Sequence, residues 1–197
     1  MSERELRICV IGDEIAAGMG DARGLGWTGR VVARTELERP FFVTQLAVPG
    51  ETSTALSARW ESETQRRFSA ESENRLVVAL GSADIAAGLS IARSRLNLAN
   101  ILDGAQAQQV ATFVVGPPPR PDVDGDALAA LSTAFADVST RRQVTYVETF
   151  APLYRHDQWN ADVAGGDGVH PGQAGYGLLA WLVLHNGWHQ WLGVPQA

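Results

Sequence analysis

An aspartate and a histidine near the end of the sequence, Asp167 and His170, have a spacing that suits acid–base chemistry. They lie in the stretch GDGVHP, directly before the pattern of the last helix. A carboxylate three residues before an imidazole can fix the tautomer and the orientation that a general base needs. The same spacing also occurs where an Asp caps a helix beside a surface His, so the pair alone does not define a function.

A second reactive group lies near the N-terminus, where the apolar run CVIG is followed by Asp13 and Glu14. A glutamate carboxylate can activate a water molecule as a general base or be acylated as a nucleophile. It can also act only as an anion, which the N–H groups of a first helical turn attract. For Asp13 the favoured interpretation is stabilisation of the turn.

Five short runs rich in β-branched and aromatic residues would position these groups. Each run is nearly continuously apolar, which is typical of parallel strands covered on both faces. The predicted strands are residues 6–12, 41–48, 75–81, 111–116 and 144–149. The predicted helices are 27–38, 52–68, 85–109, 126–141 and a last one from about 172, after a long loop that starts at 150.

This alternation of strands and helices predicts an α/β fold in one domain over residues 1–197. We expect a three-layer α/β/α sandwich with a five-stranded parallel sheet of flavodoxin-like type. Ligands of such sheets bind at the carboxyl ends of the strands. The candidate site residues therefore come from the turns after the strands: GDE at 12–14, VPGETS at 48–53, GSAD at 81–84, GPPP at 116–119 and the late DGVHP stretch.

Together these segments resemble the SGNH, or GDSL-type, hydrolase family over essentially the whole chain. The block DGVHPGQAGYGLLA is similar to that family almost throughout, as are VPGETS and GPPP. The resemblance implies an SGNH hydrolase fold and hydrolysis of small carboxylic (acyl) esters. It also implies that Asp167 and His170 are the catalytic acid and base, and that Gly50 contributes to the oxyanion hole.

Two positions depart from the family pattern: Glu14 replaces the nucleophilic serine and Ala83 replaces the asparagine of the oxyanion hole. Losing one oxyanion donor typically lowers turnover by about 10²–10³. Losing the nucleophile leaves only residual catalysis from binding and the remaining donors. We predict that Glu14 turns toward the oxyanion donors and forms an ion pair with His170, which would raise the pKa of the imidazole.

Two functions stay open. In the first, the protein is an esterase-like hydrolase with impaired activity, in which Glu14, Asp167 and His170 form the catalytic group. In the second, it is a non-catalytic relative that binds a small ligand or a protein partner through the retained pocket. The hydroxyl groups near the predicted site are further candidates for the nucleophile, although capping of helices is the favoured interpretation for each of them; they belong to Ser82, Thr52 and Ser53.

The charge and apolar content of the sequence disfavour some classes of binding partner. The 197 residues carry a formal net charge of −6 with no basic stripe, which disfavours binding to nucleic acid. No apolar run approaches the ~20 residues that a membrane helix needs. The lone Cys9 and the charged start MSERELRICV indicate a cytoplasmic protein. No phosphate-binding glycine loop is present, so we expect no cofactor, and no metal site is predicted.

For the aromatic and basic residues outside these turns, a structural or solubilising role is the first interpretation. The C-terminal segment carries Trp181, Trp188 and Trp191, which we interpret as an amphipathic helix that closes the core and as a possible homodimer contact. Arg120 follows the fourth strand. A role in surface solubility is the simpler interpretation for it, and binding of an anionic group is the alternative.

Overall fold

A five-stranded parallel sheet forms the centre of the protein, as the computed structural model of residues 4–194 describes it. The strands are β1 Leu6–Gly12, β2 Phe41–Ala47, β3 Glu73–Ala79, β4 Ala111–Val115 and β5 Thr145–Val147. They follow one another across the sheet in the order β2-β1-β3-β4-β5. All five predicted strands are therefore confirmed, with ends that move by one or two residues.

Helices cover both faces of the sheet, which confirms the three-layer α/β/α sandwich. The helix bounds are α1 Glu14–Ala17, α2 Gly26–Val32, α3 Ser53–Gln65, α4 Ala83–Ala86, α5 Ile91–Ala107, α6 Gly125–Arg141, α7 Phe150–Tyr154, α8 Asp157–Gly165, α9 Gln173–Val183 and α10 His189–Leu192. One apolar core lies beneath α1, α2, α8 and α9, and the other lies beneath α3, α5 and α6. Side chains along β1 alternate between the two cores, since Ile8 and Val10 face the first and Cys9 and Ile11 face the second.

The strand register aligns the turns that carry the candidate site. Gly12 pairs with Ala47 on one side and with Ala79 on the other. The strands β2, β1 and β3 therefore end at the same level, and the residues after them, which include Glu14, Gly50 and Ala83, emerge at the carboxyl edge of the sheet.

Three predicted segments differ from the structure. The helix predicted over 27–38 is shorter and ends at Val32. The helix predicted over 85–109 is two helices, because Gly88 adopts a left-handed φ of 67° and the Ser90 side chain then caps a new helix. The loop predicted from residue 150 contains α7 and α8. Trp159 and Val163 lie one helical turn apart and are both 1% exposed, so burial of this pair explains why the segment is helical.

The C-terminal aromatic residues are divided between the core and the surface. Trp188 is buried and meets the ring of Phe113 edge-on, with 5.6 Å between centroids. Trp191 packs against the same two rings. Trp181 is 55% exposed. Of the three tryptophans proposed for a homodimer contact, it is the one that faces solvent, and the homodimer stays a prediction. Across residues 4–194, the helices are too short or too polar to cross a bilayer.

Candidate active site

Glu14 is the first residue of α1 and its side chain is bound at both carboxylate oxygens. Asp13 caps the helix by accepting the N–H of Ile15 at 3.0 Å, which directs the next side chain toward the carboxyl edge of the sheet. The Oε2 atom of Glu14 accepts the N–H of Gly50 at 2.7 Å. Its Oε1 atom accepts a hydrogen bond from Nη1 of Arg120. The carboxylate thus lies against the N–H that the family resemblance assigns to the oxyanion hole.

Arg120 is the site residue that sequence reasoning placed on the surface. Its side chain is only 11% exposed and pairs with Glu14. Its Nε and Nη2 atoms also donate to the two carboxylate oxygens of Asp122, at 3.0 and 2.8 Å. The simpler interpretation, a solubilising surface residue, is therefore wrong, while the alternative of anion binding describes the contact that the side chain makes.

The predicted ion pair between Glu14 and His170 is also wrong. Glu14 pairs with Arg120, and the His170 imidazole is bound instead through Nδ1 to Oδ2 of Asp167 at 2.6 Å. The reason is positional: the loop after β4 brings a permanent cation to the Glu14 carboxylate, whereas His170 is committed to the aspartate three residues before it.

The Glu14 carboxyl group is stabilised in its ionised form. Burial acts to raise its pKa, but the hydrogen bond from Gly50, its own N–H and the charge of Arg120 together hold the pKa below the usual value. The guanidinium of Arg120 is stabilised in turn, chiefly by its hydrogen bonds to Asp122 and then by Glu14, and its pKa is raised. The resting site therefore contains a fixed ion pair.

Asp167 and His170 form the local pair that the spacing predicted. The Oδ1 atom of Asp167 accepts the N–H groups of Val169 and His170, at 2.9 and 2.7 Å. These backbone bonds and the imidazole lower the pKa of Asp167. Gly20 lies directly against His170. A Cβ on Gly20 would lie 2.7 Å from the Cβ of His170, so a glycine is needed at this position. The arrangement orients an imidazole whose Nε2 atom can serve as a base.

An open cleft of about 370 Å³ lies beside the Glu14 carboxylate. Ala83 contributes a methyl group to its wall where the family resemblance expects an amide donor. The remaining lining residues are Glu14, Gly50, Thr52, Ser82, Ala86, Ala87, Arg120, Asp122 and Val123. Asp167 and His170 are not among the lining residues of this cleft.

Three residues near the cleft carry hydroxyl groups, and each hydroxyl group has a different environment. Ser82 is 3% exposed and makes no capping bond to α4, so the capping interpretation does not hold for it. Thr52 caps α3 by accepting the N–H of Ala55. Ser53 is fully buried, and its N–H and Oγ both bind the carboxylate of Asp84 at 2.6 Å.

The contact between Asp84 and Ser53 supports the turn that carries Gly50, and sequence reasoning missed it. Asn97, from α5, donates to Oγ of Ser53 at 2.9 Å and completes the group. Three buried polar side chains from three helices thus join α3, α4 and α5 beneath the cleft. No local pattern could have predicted the group, because its members are 31 and 44 residues apart.

Asp13 is 1% exposed, and its Oδ2 atom has no hydrogen-bond partner among residues 4–194. Burial raises the pKa of this carboxyl to about 7, and the charge of Glu14 adds to the shift. A cavity of about 10 Å³ is lined by Asp13 and Trp27, and the Nε1 atom of Trp27 likewise has no hydrogen-bond partner in the described part of the chain. Gly81 faces the carboxyl, and any Cβ at that position would lie 1.8 Å from Oδ2.

The strand order and the helices on both faces define a doubly wound α/β protein of flavodoxin-like order, with polar side chains gathered at the carboxyl edge of the sheet. The profile of the GDSL-like Lipase/Acylhydrolase family matches residues 10–178. The chain therefore belongs to that hydrolase family.

Solved structures of esterases and acylhydrolases share the fold. A lipase/acylhydrolase from Enterococcus faecalis superimposes with a TM-score of 0.77 at 19% identity, over 97% of this chain and 98% of that one. Axe2, an acetylxylan esterase from Geobacillus stearothermophilus, gives 0.75 at 20% identity, over 100% and 98%. TesA gives 0.72 at 22% identity, over 92% and 97%. No match was found among proteins of curated function.

Proposed function

We propose that Glu14 blocks serine-dependent ester hydrolysis in this member of the hydrolase family, which we call closure of the site. We also propose that the cleft beside Glu14 binds a small ligand with an acyl group. The observation that carries this proposal is the double contact of the Glu14 carboxylate with Gly50 and Arg120. A carboxylate in that position resembles the acid that ester hydrolysis would release.

The chemistry of the site supports closure in two ways. A hydroxyl nucleophile is replaced by a carboxylate whose two oxygens are already bound. In addition, the N–H of Gly50 is occupied, and Ala83 offers no second donor to a developing oxyanion. An ester carbonyl entering the cleft would therefore find neither an attacking group nor a free donor.

A second candidate function rests on the retained pair of Asp167 and His170. The 2.6 Å contact keeps the imidazole oriented as in a working hydrolase. In this alternative the protein hydrolyses small acyl esters, with His170 activating a water molecule or Glu14 being acylated. Attack by Glu14 would first require that its carboxylate leave Gly50 and Arg120.

Hydrolysis of p-nitrophenyl acetate and butyrate by four proteins decides between the two functions. These are the parent, Glu14→Ser, Glu14→Ser combined with Ala83→Asn, and His170→Ala. We expect an inert parent and a gain in the doubly substituted protein of at least about 10² over Glu14→Ser alone, because a second oxyanion donor is restored. Glu14→Gln is the matched control, since it keeps the length of the side chain but supplies no nucleophile.

The outcomes separate the proposals. An inert parent together with an active doubly substituted protein supports closure by Glu14. Turnover by the parent that disappears in His170→Ala would refute closure and support the second function.

A further inference from the structure

We propose that Arg120 and the N–H of Gly50 form a receptor for a carboxylate group, and that the ligand of the cleft is a small carboxylic acid with a short apolar tail. In the resting protein Glu14 is the intramolecular occupant of this receptor. The inference rests on the binding role proposed above and adds the chemical class of the ligand.

The guanidinium of Arg120 is held in place by a neighbour that is not part of the receptor. Asp122 binds Nε and Nη2, which leaves the Nη1 end directed at Glu14. A planar guanidinium fixed on one side by a carboxylate loses little further freedom when it binds a second one. The side chain is also 89% shielded from solvent, which strengthens a charge-assisted hydrogen bond.

The second donor of the receptor is the backbone N–H of Gly50. The N–H of Gly50 donates to Glu14 at 2.7 Å and makes no other hydrogen bond among the described residues. Gly50 has a φ of 70° and a Cβ there would touch nothing, so the glycine serves the backbone conformation and leaves the approach to its N–H open. Two donors of this kind match the two oxygens of a single carboxylate.

The rest of the cleft suits a short apolar tail. Its wall contains the methyl groups of Ala83, Ala86 and Ala87 and the side chain of Val123. A volume of about 370 Å³ has room for a chain of a few carbon atoms and is at the small end of ligand sites.

Replacement of Glu14 tests the receptor directly. Glu14→Ala removes the intramolecular occupant, and the backbone amide of Gly50 then reports on binding in two-dimensional NMR spectra. The probes are sodium butyrate and its neutral isostere butyramide, titrated in Tris chloride at constant ionic strength. We expect butyrate, and not butyramide, to shift the Gly50 amide of Glu14→Ala in a saturable manner.

The parent protein should bind butyrate more weakly than Glu14→Ala by roughly tenfold or more, because a tethered carboxylate competes at a millimolar or higher effective concentration. Adding Arg120→Gln to Glu14→Ala should weaken butyrate binding by about tenfold or more, since a charged hydrogen-bond partner is lost. Circular dichroism checks that each variant is folded. Should Arg120→Gln unfold, the comparison of butyrate with butyramide still tests the charge of the ligand without any change at Arg120.

Equal binding of butyrate and butyramide, or no binding of butyrate to Glu14→Ala, would overturn the receptor. Unchanged butyrate binding in a folded Glu14→Ala, Arg120→Gln protein would overturn the role of Arg120. These results are independent of the ester assays. A parent that hydrolyses esters would refute closure by Glu14, while selective binding of butyrate to Glu14→Ala would still support the receptor.

Discussion

Glu14 and Asp13 are adjacent carboxyl groups with opposite pKa shifts. The pKa of Glu14 is lowered, because the donors Gly50 and Arg120 outweigh the effect of burial. The pKa of Asp13 is raised to about 7, first by burial and then by the charge of Glu14. Burial, reinforced by the charge of Glu14, therefore keeps Asp13 protonated in weakly acidic solution, where the two carboxyl groups together carry one negative charge.

Asp13 should make the stability of the protein fall as the pH rises. Its carboxyl has a pKa of about 7 in the folded protein and about 3.9 in an unfolded chain. Between those values the folded state binds the extra proton, so the free energy of unfolding decreases from about pH 4 to pH 7. Asp13→Asn imitates the protonated form and should be more stable than the parent at pH 8 by on the order of 2–4 kcal/mol.

Urea unfolding of the parent and of Asp13→Asn at pH 5, 6.5 and 8 measures this difference. Asp126→Asn, which changes an exposed carboxylate on α6, is the control for a general effect of charge. A constant difference between parent and Asp13→Asn at all three pH values would contradict a raised pKa for Asp13.

At the scale of elements, the connection between α1 and α2 is held by the buried carboxylate of Asp21. It accepts the N–H groups of Arg23, Leu25 and Gly26 and pairs with Arg30 at 2.5 Å. These contacts fold the segment GDARGLG into a compact turn. The turn fixes α2 against the sheet next to the helix that begins with Glu14.

Asp21→Asn should destabilise this connection in a pH-dependent way. The hydrogen bond from Arg30 is the main cause that lowers the pKa of Asp21 to about 2. The stabilisation is therefore present above the unfolded pKa of about 3.9 and is lost as the pH falls toward 2. We expect Asp21→Asn to lower the free energy of unfolding at pH 7 by roughly 1–3 kcal/mol.

The measurement is urea unfolding at pH 7, 5 and 3, again with Asp126→Asn as the control. The deficit of Asp21→Asn should shrink at pH 3, where the carboxylate of the parent is partly protonated in the unfolded chain. A deficit that is the same at pH 3 and pH 7 would show that the charge of Asp21 does not contribute.

At the scale of the whole molecule, each face of the sandwich exposes a large apolar side chain. Trp181 on α9 is 55% exposed and stacks on His185 with 4.3 Å between ring centroids. A groove of about 550 Å³ runs beside it. On the opposite face, Leu96 of α5 is 49% exposed. These two positions allow a matched test of the predicted homodimer.

If the protein associates through its C-terminal aromatic residues, Trp181→Ser should weaken the dimer, because an exposed aromatic ring is typical of an interface. Leu96→Ser is the control and should leave association unchanged. Sedimentation velocity over a range of concentrations gives the mass of each protein. A parent that stays monomeric, or a dimer that Trp181→Ser leaves intact, would refute the predicted contact.

The sequence by itself determined the strands, their parallel arrangement and the edge at which the site lies. Those features depend on patterns within a few residues, such as the apolar run of β1, and on the general geometry of βα units. The contact between Asp167 and His170 was predictable for the same reason, because both residues belong to one turn.

Only the tertiary structure decided which residues contact across that edge. The partner of Glu14 is Arg120, 106 residues away, and sequence reasoning expected His170 instead. The buried group of Asp84, Ser53 and Asn97 was missed in the same way. An ion pair of this kind depends on the relative positions of loops to within about an ångström, because a hydrogen bond requires a donor–acceptor distance of about 3 Å. Residue types and local spacing do not specify the relative positions of the loops, because those positions follow from how the helices pack on the sheet.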